Sequence, residues 1–178
     1  MHLAIGTSFS IIVPTAIMSV FTHYKHRSVD FSVLRSYGLF VVIGVIVGTI
    51  ISAYLHTKSL VLFFSIVLYF LAFNIFFIKE KIDIKKRFTL IKKIILGFIS
   101  GFVSSLMGIG GAIINVPVLK HSGFSINKAI GSAAAIGFLI ALFGALGFFI
   151  SGTYLNVNLP MSVGFINIPA FLIIVPIT

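Results

Sequence analysis

The chain has 178 residues, of which 59% are hydrophobic and only 9% are charged, and its mean hydropathy is +1.21. A soluble domain of this size cannot hide so much apolar surface from water, so the composition excludes an ordinary soluble fold and indicates a membrane protein. The net charge of +10 does not indicate nucleic-acid binding, because the basic residues lie between apolar runs, where they set topology and anchor headgroups.

Three apolar runs, each long enough to cross a bilayer, occupy the first part of the chain. They extend from Leu3 to Phe21, from Tyr37 to Leu55 and from Leu60 to Ile78. We interpret residues 1–78 as an incomplete first repeat of three transmembrane helices. The linker 79–93 follows, and its seven basic residues place it in the cytoplasm by the positive-inside rule.

The second part of the chain opens with an apolar stretch that glycines interrupt. Gly108, Gly110 and Gly111 lie within residues 94–119, and glycine lowers the barrier to non-helical backbone, so we expect a broken helix there. Each half, 94–107 and 112–119, is expected to cover only part of the membrane. The incomplete second repeat, residues 94–178, then contains the broken helix 94–119, a helix 129–150 and a partial helix 166–178.

Two paths through the membrane are open for the broken helix. A single crossing places Lys120 and Lys128 outside the cell and the uncharged loop 151–165 inside. A path that enters and turns back reverses both placements. The positive-inside rule favours the second path.

Two short matches indicate an internal repeat. The sequence AIGTS at residues 4–8 resembles AIGSA at residues 129–133, and SVDF at 28–31 resembles FINI at 165–168. The loop after the first helix is basic, whereas the loop after its counterpart is uncharged, so the equivalent helices are predicted to run in opposite directions. This is the pattern of inverted-topology repeats in secondary transporters.

The repeat also predicts that the chain is truncated at both ends. Nothing before Met1 corresponds to the glycine-rich stretch 94–119. Nothing after Thr178 corresponds to the end of the second helix or to the third helix of the first repeat.

The stretch GFISGFVSSLMGIGGAIINVPVLKHSGFSINKAIGSAAAIGF, residues 97–138, resembles the sulfite exporter TauE/SafE family. AIGTS with Val29-Asp30, and VGFINIP at residues 163–169, fit the same pattern. The resemblance implies two inverted halves and the export or uptake of small sulfur-containing or organic anions. The chain departs from the family in having the glycine-rich motif only in its second half, and in Ala112, where the family often has a further glycine.

Candidate substrate-binding residues cluster at the break. Gly108, Gly110 and Gly111 can expose backbone N–H groups at the start of the half-helix from Ala112, where the helix dipole favours an anion. The alternative is close helix packing through small residues. Asn115 either faces a substrate path or bonds to a neighbouring helix, and the second interpretation is favoured.

Three hydroxyl residues complete the candidate site. Thr7, Ser8 and Ser132 open the equivalent helices, where they can cap the helix start or bond an anion, and capping is favoured. The candidate substrate-binding set is Gly108, Gly110, Gly111, Ala112, Asn115, Thr7, Ser8 and Ser132.

No nucleophile–base pair, phosphate loop or metal-ligand spacing is present in the sequence, so we expect neither an enzyme nor a metal or other cofactor. No charged residue lies well inside an apolar run, so there is no marker of a proton relay.

The sequence thus predicts an all-α membrane protein, a polytopic transmembrane helix bundle that is part of an inverted-repeat transporter fold with a glycine-broken helix. We expect a multi-pass protein of the cell membrane, such as a bacterial inner membrane. Its expected role is that of a transporter, or a fragment of one, for a small anion such as sulfite or a sulfur-containing organic anion. The alternative is a non-transporting remnant or an accessory membrane subunit. The expected partners are the lipid bilayer, the anion, and a separately encoded complementary half or a second copy of the chain.

Overall fold

A computed structural model describes residues 1–77, 89–155 and 160–177, and within them the chain is almost entirely helical. This confirms the predicted all-α class. The described helices are α1 (His2–Lys25), α2 (Phe31–Ser36), α3 (Gly38–Tyr54), α4 (Thr57–Phe77), α5 (Leu90–Met107), α6 (Ala112–His121), α7 (Ile126–Tyr154) and α8 (Ile168–Ile174). A two-stranded hairpin, β1 (Ser162–Val163) and β2 (Ile166–Asn167), precedes α8, and a 3-10 turn (Val175–Ile177) follows it.

Three of the described helices, α1, α5 and α7, are long and apolar enough to cross a membrane. The 17 residues of α3 form a shorter apolar helix, at the lower limit of the length that spans a bilayer. These helices confirm a multi-pass membrane protein.

The helices α1 and α7 lie side by side and run antiparallel. Near the start of α1, a Cβ added to Gly6 would lie 3.1 Å from the Cβ of Phe148, close to the end of α7. Beyond the end of α1, the backbone N–H of Asp30 donates to the hydroxyl of Ser132, near the start of α7. Phe9 and Phe148 are fully buried in the core between the two helices.

The helices α3 and α5 run parallel, with their backbones in close contact. A Cβ on Gly97 would lie 3.2 Å from the carbonyl oxygen of Tyr37, and one on Gly48 would lie 3.0 Å from that of Phe102. Small residues at a helix interface allow this approach in a membrane, where packing rather than the hydrophobic effect holds helices together.

Some boundaries differ from those expected. The helix α5 begins at Leu90, so its 18 residues are long enough to cross the membrane, and the expectation that the first half of the broken helix covers only part of it is wrong. Lys92 and Lys93 fit into this helix because long basic side chains can reach the interface from a helix end. The last helix begins at Ile168, where Asn167 accepts a hydrogen bond from the Ala170 N–H. Residues 79–88 of the predicted linker 79–93 lie outside the described residues.

Candidate functional site

The helix break between α5 and α6 is confirmed, and two glycines make it. Gly108 ends α5 with φ of 71°, and Gly111 precedes α6 with φ of 72°. Both values lie in the left-handed region, which residues with a side chain rarely adopt. At the end of α5, the N–H groups of Gly108 and Ile109 both donate to the carbonyl of Ser104.

The chain turns back at this break. The hydroxyl of Ser100 in α5 donates to Oδ1 of Asn115 in α6, with a donor–acceptor distance of 2.7 Å. In one straight helix, residues fifteen positions apart would be separated by about 22 Å. The helix α6 therefore returns alongside α5, which is the path that the distribution of basic residues favours.

Asn115 is fully buried, and both ends of its side-chain amide are bonded. Its Oδ1 accepts from the hydroxyls of Tyr37 and Ser100, each at 2.7 Å, and its Nδ2 donates to the carbonyl of Gly111 at 2.8 Å. Asn115 thus joins α6 to α5 and to the start of α3. These bonds fit the interpretation that Asn115 holds neighbouring segments together.

The hydroxyls of Thr7 and Ser8 lie beyond the first turn of α1, so the expectation that they cap this helix is wrong. The helix begins five residues earlier, at His2. Thr7 donates to the carbonyl of Leu3 at 2.6 Å and accepts from the backbone N–H of Asn167 at 2.9 Å. Ser8 donates to the carbonyl of Gly108 at 2.9 Å, which joins α1 directly to the break.

Ser132 is not a cap either, because α7 begins at Ile126. Its buried hydroxyl accepts the backbone N–H of Asp30 at 3.0 Å. The Asp30 side chain accepts from the N–H groups of Ser32 and Val33 and so caps α2.

The Thr7–Asn167 and Ser132–Asp30 hydrogen bonds join the same kinds of groups in the same sequence context. In each, a hydroxyl one residue after a glycine accepts the backbone N–H of a residue that caps a short helix. The hydroxyls belong to the matched AIGTS and AIGSA sequences, and the donors to the matched SVDF and FINI sequences. Each hydroxyl in one pair of matched sequences therefore bonds to a loop residue in the other pair.

A cavity of about 510 Å³ lies beside the break. Ser8, which lines it, bonds to Gly108, and a Cβ on Gly110 would lie 3.4 Å from the Cγ2 of Ile12 in its wall. The lining comes from one face of α1 and from the last helical segment: Leu3, Ala4, Thr7, Ser8, Ile11, Ile12, Asn167, Ala170 and Ile174. The lining carries no charged side chain, and its polar atoms are hydroxyl, amide and backbone groups.

The structure therefore brings together only part of the candidate set. Thr7 and Ser8 line the cavity, and Gly108 and Gly110 contact residues of its wall. Gly111 and the exposed Ala112 form the turn into α6. Asn115 and Ser132 do not line this cavity.

Two residues near the site were not among the candidates from sequence. Asn167 lines the cavity, and its signals were its place in the VGFINIP motif and its match to Asp30 in the SVDF and FINI sequences. The hydroxyl of Ser104 is buried and has no hydrogen-bond partner in the described part of the chain, and a Cβ on Gly111 would lie 3.5 Å from it. In the described ranges, no three His, Asp or Glu side chains form a group that can hold a metal ion.

Comparisons with known proteins find one matching family model and relatives named as membrane transporters. The family model described as "Sulfite exporter TauE/SafE" matches residues 1–178. A protein of Haemophilus influenzae named "Probable membrane transporter protein" is 32% identical over 173 residues, which cover 97% of this chain and 66% of that protein. Proteins with the same general name from Methanocaldococcus jannaschii and Bacillus subtilis are 26% and 24% identical, over 96% and 85% of this chain.

The chain is shorter than these relatives. The matched segments cover 66%, 63% and 64% of the three proteins, so the chain spans a little less than two thirds of the length of each. No solved structure matches the chain with significance.

Proposed function

The chain belongs to the sulfite exporter TauE/SafE family, and on this premise we propose that it moves a small anion across the cell membrane, alone or as part of a larger transporter. The family and the names of the relatives point to a transporter rather than an enzyme. We propose sulfite or a sulfur-containing organic anion as the substrate class, from the description of the family.

The observation that carries this proposal is the cavity beside the helix break. Thr7, Ser8 and Asn167 supply polar groups to its lining, and Ser8 bonds directly to Gly108 at the break. A small oxyanion is recognised by N–H and O–H donors, and a glycine backbone lets such a ligand approach closely. We therefore assign the anion site to the cavity side of the break, with the N–H groups of Gly110, Gly111 and Ala112 as its backbone donors and Gly108, whose own N–H bonds to Ser104, as the residue that allows close approach. Thr7 and Ser8 are its hydroxyls, which exchange their hydrogen bonds to the carbonyls of Leu3 and Gly108 for bonds to the anion.

The two equivalent hydroxyl–backbone bonds support an inverted-repeat arrangement. In this arrangement Ser132 is the counterpart of Thr7 in the other half, and Asn115 positions α6 rather than touching the anion. The basic residues support a topology with the 79–93 linker inside the cell and loop 151–165 outside. A complementary half or a second copy of the chain would supply the counterpart of the break.

A flux assay tests the function. The purified chain is reconstituted into lipid vesicles, and exchange of radiolabelled sulfite is measured against protein-free vesicles, with methanesulfonate as a competitor. We expect saturable exchange that methanesulfonate inhibits. Exchange no faster than in protein-free vesicles, for the chain alone and for the chain with a complementary half, would favour the remnant or accessory subunit.

Gly110→Ala tests the site in the same assay. The added methyl meets Ile12 in the cavity wall at ordinary van der Waals distance, so it narrows the approach to the backbone with little steric strain. We expect at least a tenfold loss of exchange. Gly38→Ala is the matched control, because its methyl meets only flexible leucine side chains, Leu139 at 3.2 Å and Leu34 at 3.8 Å. Equal rates of sulfite exchange in the two variants would contradict an anion site at the break.

A further inference from the structure

A pocket with two basic residues lies at the end of α1, far from the proposed anion site. It has a volume of about 370 Å³ and is lined by Tyr24, Lys25, Arg27, Val29 and Phe31, which we call the basic pocket. The rings of Tyr24 and Phe31 meet edge to face, with centroids 5.9 Å apart, and form one wall. Both aromatic side chains are largely exposed, as is usual for rings at a membrane–water interface.

The two cations of the basic pocket lack acidic partners. Neither Lys25 nor Arg27 forms an ion pair with any residue of the described part of the chain. The nearest acid in sequence, Asp30, uses its carboxylate to cap α2. The pocket therefore carries two positive charges that are available to an anionic ligand.

An apolar groove is continuous with the basic pocket. Its volume is about 340 Å³, and it shares Tyr24, Val29 and Phe31 with the pocket. From there it follows the apolar face of α1 to Ala135 and Phe138 of α7. A ligand that occupies both spaces needs a negatively charged head and a hydrocarbon tail, joined at the level of the aromatic pair.

The backbone of Arg27 adds an independent observation. Its φ is 54°, in the left-handed region that favours glycine. The N–H of Ser28 donates to the carbonyl of His23, and that of Arg27 to Tyr24, which is the hydrogen bonding of a helix end where glycine is the usual residue. An arginine here costs conformational energy that a glycine would not, so the helix end alone does not explain its presence.

We propose that this combined site binds an anionic phospholipid, with its phosphate headgroup in the basic pocket and one acyl chain in the apolar groove. Arg27 and Lys25 contact the phosphate, since a guanidinium can donate two parallel hydrogen bonds to phosphate oxygens. The apolar groove distinguishes this ligand from free phosphate, which has no tail to fill it.

Native mass spectrometry of the purified chain tests the proposal, by titration with phosphatidylglycerol and with phosphatidylcholine of the same acyl chains. We expect phosphatidylglycerol to bind at least tenfold more tightly. Inorganic phosphate and glycerol phosphate, which lack acyl chains, should not displace it at a hundredfold excess. Equal affinity for the two lipids, or displacement by either free phosphate, would overturn the proposal.

The variant Arg27→Gly tests the position of the lipid site without destabilising the fold. Glycine suits the left-handed backbone at this position, so thermal unfolding should occur at the same temperature or higher. We expect the affinity for phosphatidylglycerol to fall at least fivefold. Lys128→Gln is the control, because this exposed lysine lies in the first turn of α7, outside the pocket, and its loss should change the affinity less than twofold. Unchanged affinity for phosphatidylglycerol in Arg27→Gly, or an equal loss of affinity in Arg27→Gly and Lys128→Gln, would contradict a lipid site at the basic pocket.

Discussion

At the residue scale, several buried polar side chains hold non-adjacent segments together, among them Thr7, Asn115 and Ser132. Asn115 accepts from Tyr37 and Ser100 and donates to Gly111, so one amide joins α6 to α5 and to the start of α3. Within apolar surroundings a buried polar group that loses its partner keeps its full desolvation cost. Such a residue is therefore more sensitive to substitution than its small size suggests.

The Asn115 bonds predict a coupled response. Tyr37→Phe and Ser100→Ala each remove one donor to the same oxygen, and each should lower the free energy of unfolding by roughly 0.5–1.5 kcal/mol. In the double variant the losses should not be additive, because the remaining bond changes when the other is removed. A double-mutant cycle measured by detergent-titration unfolding checks this, and strictly additive losses would contradict a shared acceptor.

The hydroxyl of Thr7 is predicted to stabilise the fold through the Asn167 N–H. Thr7→Val keeps the shape of the side chain but leaves that N–H without its acceptor, at a cost of about 1–3 kcal/mol. Thr7→Ser retains the hydroxyl and serves as the control. Thermal melting of the detergent-solubilised protein should show a clearly lower midpoint for Thr7→Val than for Thr7→Ser. Equal midpoints for the two variants would show that the Thr7–Asn167 bond does not stabilise the fold.

At the element scale, the break is the feature that the sequence indicated best, and the residues that cap the helices are those it indicated least well. Three glycines within four residues suffice to predict a break, because no other residue enters left-handed backbone so readily. The apolar runs predict starts at Leu3 and Ala129, within three residues of those observed, but the capping role expected for Thr7 and Ser132 from their residue types is wrong. The helices extend past them to His2 and Ile126, and their hydroxyls bond to distant loops instead.

The contacts between elements could not be predicted from the sequence, because the partners are far apart along the chain. Tyr37 and Asn115 are 78 positions apart, and no local pattern marks them as partners. The β-hairpin before α8 consists of two-residue strands, too short for a periodic signal. The Thr7–Asn167 and Ser132–Asp30 bonds are different, because all four residues lie in the short sequences AIGTS, AIGSA, SVDF and FINI that match one another.

The two adjacent glycines of the break are predicted to respond differently to alanine. Gly111→Ala forces a side chain into left-handed backbone, at about 1–2 kcal/mol, and the methyl would also overlap Ile140. Gly110→Ala meets neither obstacle. Melting temperatures should therefore fall for Gly111→Ala and stay near the native value for Gly110→Ala. Two equal melting temperatures would mean that the left-handed turn is not required.

At the scale of the whole molecule, the helix directions bring the described lysines and arginines, except Lys58, to one end. The end of α1, the start of α5 and the start of α7 lie together there, with Ser132 bonded to Asp30 and Lys93 bonded to Ser36. The two parallel helices and the returning α6 place Lys120 and Lys128 at this same end. This arrangement supports the cytoplasmic orientation of the basic linker that we propose from the positive-inside rule.

Single-cysteine labelling tests this orientation, and the chain contains no native cysteine to interfere. Lys86→Cys and Lys128→Cys should react with a membrane-impermeant thiol reagent only from the cytoplasmic side. Met161→Cys, in the uncharged loop, should react only from outside. Labelling of Lys128→Cys from outside would mean that the broken helix crosses once, and would contradict the turn back at Gly108.

The central claim is that a small anion binds beside the glycine break, and equilibrium binding tests it most directly. Radiolabelled sulfite is titrated onto the purified chain and onto its Gly110→Ala and Gly38→Ala variants, all with the same thermal stability. Saturable binding to the native chain and to Gly38→Ala, with an affinity at least tenfold lower for Gly110→Ala, is the result expected from backbone recognition at the break. The same sulfite affinity in all three proteins would contradict it.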